Sequence, residues 1–286
     1  MRALAFGEVL FDVFGDNAKL GGAPLNVASH LKALGVDSQI VSAVGGDDLG
    51  RRARSEILGH DVDDTYLKTS SYATGRADVT LHDGSATYTF NDPSAWDDIT
   101  LTQPAPSSVD VLYWGSLVQR HETSRNTLLA LLSRTKAAIR FFDVNIRQHF
   151  YSRTVIEGGL EQADVLKMND EEVPLVTSLV SLQSVEDLLK RYPLRMVLVT
   201  LGSQGSALYL KDGTVLHQGT GKVDVVDTVG AGDSLSAGFL ASLLKGKSPQ
   251  TALEVGTMLA SYVCTRRGAI PSYSDELKQK LSAYGF

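Results

Sequence analysis

Hydrophobic positions along the chain fall alternately into short runs and longer stretches. Residues 4–6 and 39–44 are apolar and β-rich, and residues 24–34 between them carry helical spacing. Residues 111–114 and 139–144 repeat the pattern around a helical stretch at 124–135, and further strand-like runs lie at 165–168 and 196–201. Strands alternating with helices of about 10–15 residues predict βαβ units, a mostly parallel sheet and helices on both of its faces. The expected class is therefore α/β, a doubly wound sheet in one domain over residues 1–286. No repeat, low-complexity run or linker divides the chain.

One region breaks the alternation. Residues 74–90 read as two β-segments joined by His82-Asp83-Gly84-Ser85, and Asp-Gly between alternating strands signals a hairpin. Inserted in a βα series, it has to lie beside the main sheet as a flap or small second layer, or as a plain edge hairpin. The tail from residue 248 predicts two helical segments separated by Arg266-Arg267-Gly268-Ala269-Ile270-Pro271.

Composition changes this picture little: 43% hydrophobic and 21% charged residues are ordinary globular usage. The net charge of −6 argues against a nucleic-acid or anionic-membrane binder. A single cysteine, Cys264, rules out an intrachain disulfide framework and a multi-cysteine metal site. No uncharged run approaches the ~18–20 residues of a membrane span. Glu8 and Asp12 come too early for a secretory signal. A soluble protein of the cytoplasm is expected.

The strongest local signal is Asp227-Thr228-Val229-Gly230-Ala231-Gly232-Asp233 ahead of a helical run at 234–245. Its glycines let backbone N–H groups turn toward a ligand at a helix N-terminus, where unpaired donors and the macrodipole favour anions. Asp233 among those amides either works on the ligand or caps the helix. A Walker loop fails because Ala241 stands where its first Gly belongs. A dinucleotide fingerprint fails at Leu235. Gly232-Asp233-Ser234-Leu235 also spells an esterase nucleophile block, but no His follows His217 to activate Ser234.

Near the start, Gly21-Gly22-Ala23-Pro24-Leu25-Asn26 opens a helix, and Asp12 is expected beyond the C-terminal end of the first strand. A carboxylate and an amide suit paired sugar hydroxyls. Asp143-Val144-Asn145-Ile146-Arg147 and Asn169-Asp170-Glu171-Glu172 follow strands and suit a magnesium–phosphate site, with helix capping by Asn169 and Glu172 as the plainer alternative. Thr200-Leu201-Gly202-Ser203-Gln204-Gly205 ends a strand as a nucleotide loop or a tight turn would. The six histidines show no metal-ligand spacing and are expected at or near the surface.

In this order the motifs resemble the PfkB, or ribokinase-like, family of sugar kinases, from Gly7-Glu8 to Pro271, with Gly35 and Gly45 at the family's spacing. Local detail is most similar to bacterial fructokinases, including Gln148-His149-Phe150-Tyr151 and Gly268-Ala269-Ile270-Pro271. The resemblance implies a ribokinase-like fold and ATP-dependent phosphotransfer to a sugar hydroxymethyl group. It implies Asp233 as the base, and Gly230, Ala231 and Gly232 as anion-hole amides. It places Asp12, Gly22 and Asn26 on the sugar, with Asn145 beside them and Arg76 and Arg147 as the cations a carboxylated sugar would want. Nucleotide contacts would come from Asn169, Thr200, Gly202, Gly205, Gly230, Gly232 and the position of Thr257, where the family often has Asn. Magnesium would be held at Asn169 and Glu172, largely through water. Potassium would fall at Asp227, Val229, Val263, Arg266, Gly268 and Ser272. A lid spanning about 72–95, with a contribution from 12–18, would cover the sugar and form a homodimer contact. Ribose, 2-keto-3-deoxygluconate and a nucleoside stand beside fructose as acceptors, and a catalytically silent sugar-binding regulator is the other class.

Overall fold

The computed structural model describes every residue except Asp16, Asp83 and Gly84, and at Phe14, 79–82 and 85–88 the backbone alone. The chain opens with β1 (Arg2–Phe6), β2 (Leu10–Phe14), β3 (Asn17–Gly21), α1 (Ala23–Ala33), β4 (Asp37–Gly45), α2 (Asp48–Gly59) and β5 (Asp63–Ser70). Next come β6 (Gly75–His82), β7 (Ser85–Phe90), β8 (Ser108–Gly115), α3 (Glu122–Arg134), β9 (Lys136–Asp143), α4 (Arg153–Gln162) and β10 (Val165–Asn169). The last part holds α5 (Glu172–Leu179), α6 (Val185–Arg191), β11 (Met196–Thr200), β12 (Ser206–Leu210), β13 (Val215–Gln218), α7 (Ala231–Leu244), α8 (Pro249–Cys264) and α9 (Asp275–Ala283).

The main sheet has nine strands in the order β13-β12-β11-β10-β9-β8-β1-β4-β5, parallel throughout except for β12 and β13. Alternation along its central strands fills two cores. Ala3 and Ala5 of β1 and Val111 and Tyr113 of β8 face one side, with Leu25 and Leu31 of α1 and Phe239 of α7. Leu4, Phe6, Leu112 and Trp114 face the other, with Leu128 of α3 and Ile156 of α4. Trp114 stacks on Phe142 with ring centroids 5.6 Å apart, worth about 0.5–1.5 kcal/mol beyond the area buried. No helix among the described residues is long and apolar enough to cross a membrane.

Chain order reverses between β1 and β8: from β1 it runs outward through β4 and β5, from β8 through β9, β10 and β11. Open α/β sheets hold ligands at the carboxyl ends of strands flanking such a point, and this position selects the site described below.

The 75–90 hairpin belongs to a second sheet of four strands, β3-β2-β6-β7; its Asp83-Gly84 turn lies outside the described residues. Its partners β2 and β3 take in the 12–18 stretch that the resemblance adds to the lid, but local pattern does not give their pairing, because β2 pairs in parallel with β6, more than sixty residues away. A buried arginine fastens this sheet to the body. Arg120 lies 3.9 Å from the ring centre of Trp96 and 4.8 Å from that of Phe150. It donates to both carboxylate oxygens of Asp97 (2.6 and 2.8 Å) and to the Asn91 carbonyl (2.8 Å) just beyond β7.

Candidate active site

The segment before α7 is tied down by backbone. Val226 and Asp227 donate to the Cys264 carbonyl, and the Asp227 carboxylate accepts from Val229 N (3.1 Å) and Gly268 N (3.0 Å). Gly230 then takes φ +76°, and a Cβ there would meet Ala269 at 2.6 Å, so geometry and space both demand glycine. Gly230 is also the N-cap of α7, and no side chain caps the helix. The first-turn amide of Gly232 is thus left for a ligand, whereas Ala231 N, expected beside it, donates to the Thr228 carbonyl at 3.2 Å.

Asp233 is the third residue of this helix, so the capping alternative is settled by position: the cap is Gly230. Its Oδ2 accepts from Asn26 Nδ2 at 2.7 Å, across 207 residues of sequence. Burial raises the Asp233 pKa, against the opposing pull of Lys167 and of the Asn26 bond. Ser234, the would-be esterase nucleophile, is fully buried and donates to the Ala231 carbonyl.

Asn26 is placed by Gly22, which enters α1 at φ +111°; a Cβ there would meet the Glu8 carbonyl at 2.2 Å. Asp12 departs from the expectation. It sits within β2 of the small sheet, paired with Ala77 and Lys19, and not beyond a main-sheet strand. Its carboxylate leans toward Gly21, where a Cβ would be 3.2 Å from Asp12 Oδ2. Burial pushes its pKa up to about 6, opposed by Arg147 and reinforced by Asp227 and Asp233.

Arg147 is exposed, donates to the Ile146 carbonyl and acts electrostatically on Glu8, Asp12 and Asp233 alike. Asn145, at φ +39°, is buried beside it in sequence. The structure does not bring Arg76 to this group. Arg76 is the register partner of Phe11, on the face of the small sheet opposite Asp12, and pairs with Asp78 at 2.6 Å.

Beneath the α7 turn lies a buried charge cluster. Lys167 Nζ donates to both oxygens of Asp143 (2.9 and 3.1 Å), and Tyr113 donates to the same carboxylate (2.9 Å). A Cβ on Gly232 would be 3.2 Å from Lys167 Nζ, so the ammonium reaches the anion-facing amides. Burial works against the charge of Lys167, but Asp143, Glu172 and Asp233 together raise its pKa. Glu172 and Asn169 form a reciprocal pair: Asn169 Oδ1 accepts from Glu172 N (2.7 Å) and Glu172 Oε2 from Asn169 N (2.8 Å). Glu172 Oε1 also accepts from Ile146 N at 2.6 Å.

Next to the α7 turn is a cavity of about 550 Å³ lined by Thr200, Gly202, Gly205, Gly232 and Thr257. The proposed potassium residues gather less tightly. Asp227 holds Gly268, while the Val263 carbonyl accepts from Arg266 N and the Ser272 carbonyl from Tyr262 Oη. Val229 is exposed.

The pattern of the pfkB family carbohydrate kinases matches residues 3–276. The chain belongs to the pfkB family of carbohydrate kinases. Fructokinase-1 of Oryza sativa is 31% identical over 96% of this chain and 95% of its own length. The fructokinase of Klebsiella pneumoniae is 30% identical over 91% of each. Among solved structures, a sugar kinase of Pyrococcus horikoshii in complex with ATP superposes with a TM-score of 0.85 at 25% identity, over 98% of this chain and 97% of that one. The Vibrio cholerae fructokinase bound to fructose, ADP and calcium gives 0.84 at 23% identity, over 99% and 98%, and shares the ribokinase-like fold.

Three residues of this carbohydrate kinase escape sequence reasoning. Lys167 sits mid-strand with no motif around it. His30, expected near the surface, is wholly buried, with Nδ1 2.8 Å from Tyr273 Oη and Nε2 2.8 Å from the Ala269 carbonyl; burial lowers its pKa to about 4. It shares a face of α1 with Asn26, four residues earlier. Glu8 follows β1, is 3% exposed and leaves Oε2 without a hydrogen-bond partner. Burial lifts its pKa from the ordinary 4.5 to about 7. The folded protein then binds more protons than the unfolded chain between those values, so stability falls as pH rises across that window. Glu8→Gln will escape this loss, gaining roughly 3 kcal/mol on wild type between acid and pH 8. Urea melts at pH 5 and pH 8 check it, and an unchanged difference would remove Glu8 from the titration.

Proposed function

We propose that this kinase transfers the γ-phosphate of ATP to the hydroxymethyl group of a sugar, with fructose the preferred acceptor. The observation that carries the reading is the Asn26–Asp233 pair at the uncapped N-terminus of α7, between the Asp12 carboxylate and a nucleotide-sized cavity. The fructokinase names of relatives matched over nine-tenths of both lengths support the choice of sugar.

In this reading Asp233, oriented by Asn26, takes the proton of the attacking hydroxyl as its oxygen bonds to the γ-phosphorus and ADP departs with the broken bond's electron pair. The amides of Gly230 and Gly232, with Lys167 beside them, meet the charge on the equatorial oxygens, and that of Ala231 joins them by turning from the Thr228 carbonyl. Asp12, Gly22, Asn145 and Arg147 hold the sugar. Magnesium supplies charge neutralisation on the phosphates. Glu172 suits an ion approached through water, because both its oxygens already accept backbone N–H bonds and only their outer lone pairs are left. A potassium ion at Asp227, Val229, Val263, Arg266, Gly268 and Ser272 would steady the segment on which Gly230 packs. Thr200, Gly202 and Gly205 face the nucleotide. The small sheet covers the sugar, and its unpaired edges β3 and β7 offer a homodimer contact; a monomer in sedimentation at micromolar concentration would remove the latter. We place the work in the cytoplasm, where ATP is supplied and Cys264 stays reduced; cell fractionation reads this directly.

Coupled ADP release with fructose, ribose, 2-keto-3-deoxygluconate, fructose 6-phosphate and a nucleoside tests the reading. Fructose is expected to give the highest kcat/KM, and no acceleration by fructose over the sugar-free rate would sink it. Asp12→Ala should raise the sugar KM at least tenfold, since a charge-assisted bond contributes about 1.5–3 kcal/mol, and leave the ATP KM in place. Because the free carboxyl titrates near 6, the wild-type sugar affinity should fall as pH drops through that value and that of Asp12→Ala should not. Equal losses for both ligands would show damage to the fold.

A further inference from the structure

The wholly buried His30 has no role in the reaction described above, yet it reaches the turn on which α7 begins. Gly230 packs so closely on Ala269 that a Cβ would stand 2.6 Å from Ala269 Cβ and 2.9 Å from the Ala269 carbonyl oxygen. His30 Nε2 lies 2.8 Å from that same oxygen, and among the described residues no other hydrogen bond reaches it. Asp227 holds the preceding residue, Gly268, by its amide at 3.0 Å. Two side chains thus fix the backbone against which Gly230 rests.

The partners of the ring decide which atom donates. A carbonyl can only accept, so Nε2 carries the proton. Burial lowers the His30 pKa to about 4, so the neutral ring has one N–H and Nδ1 is bare. Tyr273 Oη, 2.8 Å away, then donates to Nδ1, and burial pushes the Tyr273 phenol up, which keeps its proton in place. Tyr273 is itself framed by two rings: it stacks on His30 with centroids 5.9 Å apart and meets Tyr262 edge-on at 6.1 Å. Tyr262 Oη in turn donates to the Ser272 carbonyl at 2.7 Å and accepts from Ser274 N at 3.0 Å. The hydrogen bonds therefore run one way, from Tyr273 to His30 to Ala269.

The helix that carries His30 also carries Asn26, one turn earlier, which bonds Asp233. Helix α1 thus grips the first turn of α7 twice: at Asp233 through Asn26, and at Gly230 through His30 and Ala269. These are the base and the anion-facing turn of the kinase reading, on which this inference rests. We propose that His30 is a positioning residue for phosphoryl transfer, setting the Gly230 and Gly232 amides relative to Asp233 through its bond to the Ala269 carbonyl. The expected size follows from geometry, because a misplacement of about 1 Å by a change far from the chemistry can cost about 10²-fold in rate.

Coupled ADP release by wild type, His30→Leu and His30→Gln tests this, with the sugar that the wild type turns over fastest. His30→Leu removes the N–H, and kcat is expected to fall about 10²-fold while the sugar KM, set by Asp12 and Gly22, stays close to wild type. His30→Gln keeps an N–H at similar reach and should recover most of that loss. Both variants lose the ring stacked on Tyr273, so general destabilisation would strike them alike. A folded His30→Leu with wild-type kcat, or a His30→Gln as slow as His30→Leu, would overturn the proposal and leave the kinase reading standing. No sugar-dependent ADP release by the wild type would remove the kinase reading and the positioning role with it. Imidazole NMR on wild type with isotope-labelled histidine requires no variant to fold. It should show a neutral His30 ring protonated at Nε2; protonation at Nδ1 would overturn the proposal, because a bare Nε2 cannot hold a carbonyl.

Discussion

Asp233→Asn will lower kcat by about 10²–10⁴-fold, the contribution expected of a general base that can no longer accept the hydroxyl proton. The fold should tolerate the change. The helix is capped by Gly230, and the Asn side-chain oxygen can still accept from Asn26 Nδ2 as Asp233 Oδ2 does. The sugar KM should move little. Removing a carboxylate that lies beside the anion-facing amides relieves repulsion with phosphate, so nucleotide affinity should hold or rise. Unfolding would lower both quantities, so opposite movement of kcat and nucleotide affinity is the signature. A folded variant with kcat within threefold of wild type would remove Asp233 from the mechanism.

The second large effect is at Lys167. Lys167→Met leaves the wholly buried Asp143 without its cation, and breaking a buried pair in this way costs about 3–5 kcal/mol. Pairing it with Asp143→Asn should restore most of that stability, since a neutral amide needs no counter-charge and can still accept from Tyr113. Activity should not return with it. The ammonium lies next to the Gly232 position, where the proposed reaction develops charge on the phosphoryl group, and losing one such donor is expected to cost about 10²–10³ in kcat. Denaturant melts and ADP release on the single and double variants separate the two roles. A double variant restored in both stability and kcat would make Lys167 a purely structural partner of Asp143.

Much of the architecture could be read from the residues because it depends on local periodicity. The strands over 4–6, 39–44, 111–114, 165–168 and 196–201 and the helices of 24–34 and 124–135 all occur, with shifts of up to three residues at their ends. The glycine segments at 21–22 and 230–232 were legible for a related reason. Positive φ and close backbone approach restrict the side chain whatever the rest of the fold does, and Gly22 and Gly230 have both.

What the sequence left open needed contacts between distant residues. It offered two roles for Asp233; the capping role went to Gly230, and the partner of the carboxylate, Asn26, lies 207 positions away. Asp12 followed the first strand in the sequence, but the parallel pairing of β2 with β6 carried it into the small sheet and left Arg76 on the other face. Lys167 carries no motif, and Gly7-Glu8 gave no sign of the burial of its carboxyl, because a buried charge is defined by what surrounds it and not by its neighbours along the chain. Sequence alone therefore determined the central strands and helices named above, the glycine turns and the family, all set by short-range stereochemistry. Only tertiary structure decided which charges meet, because burial and pairing energies arise where separate strands and helices converge at the carboxyl ends of the sheet.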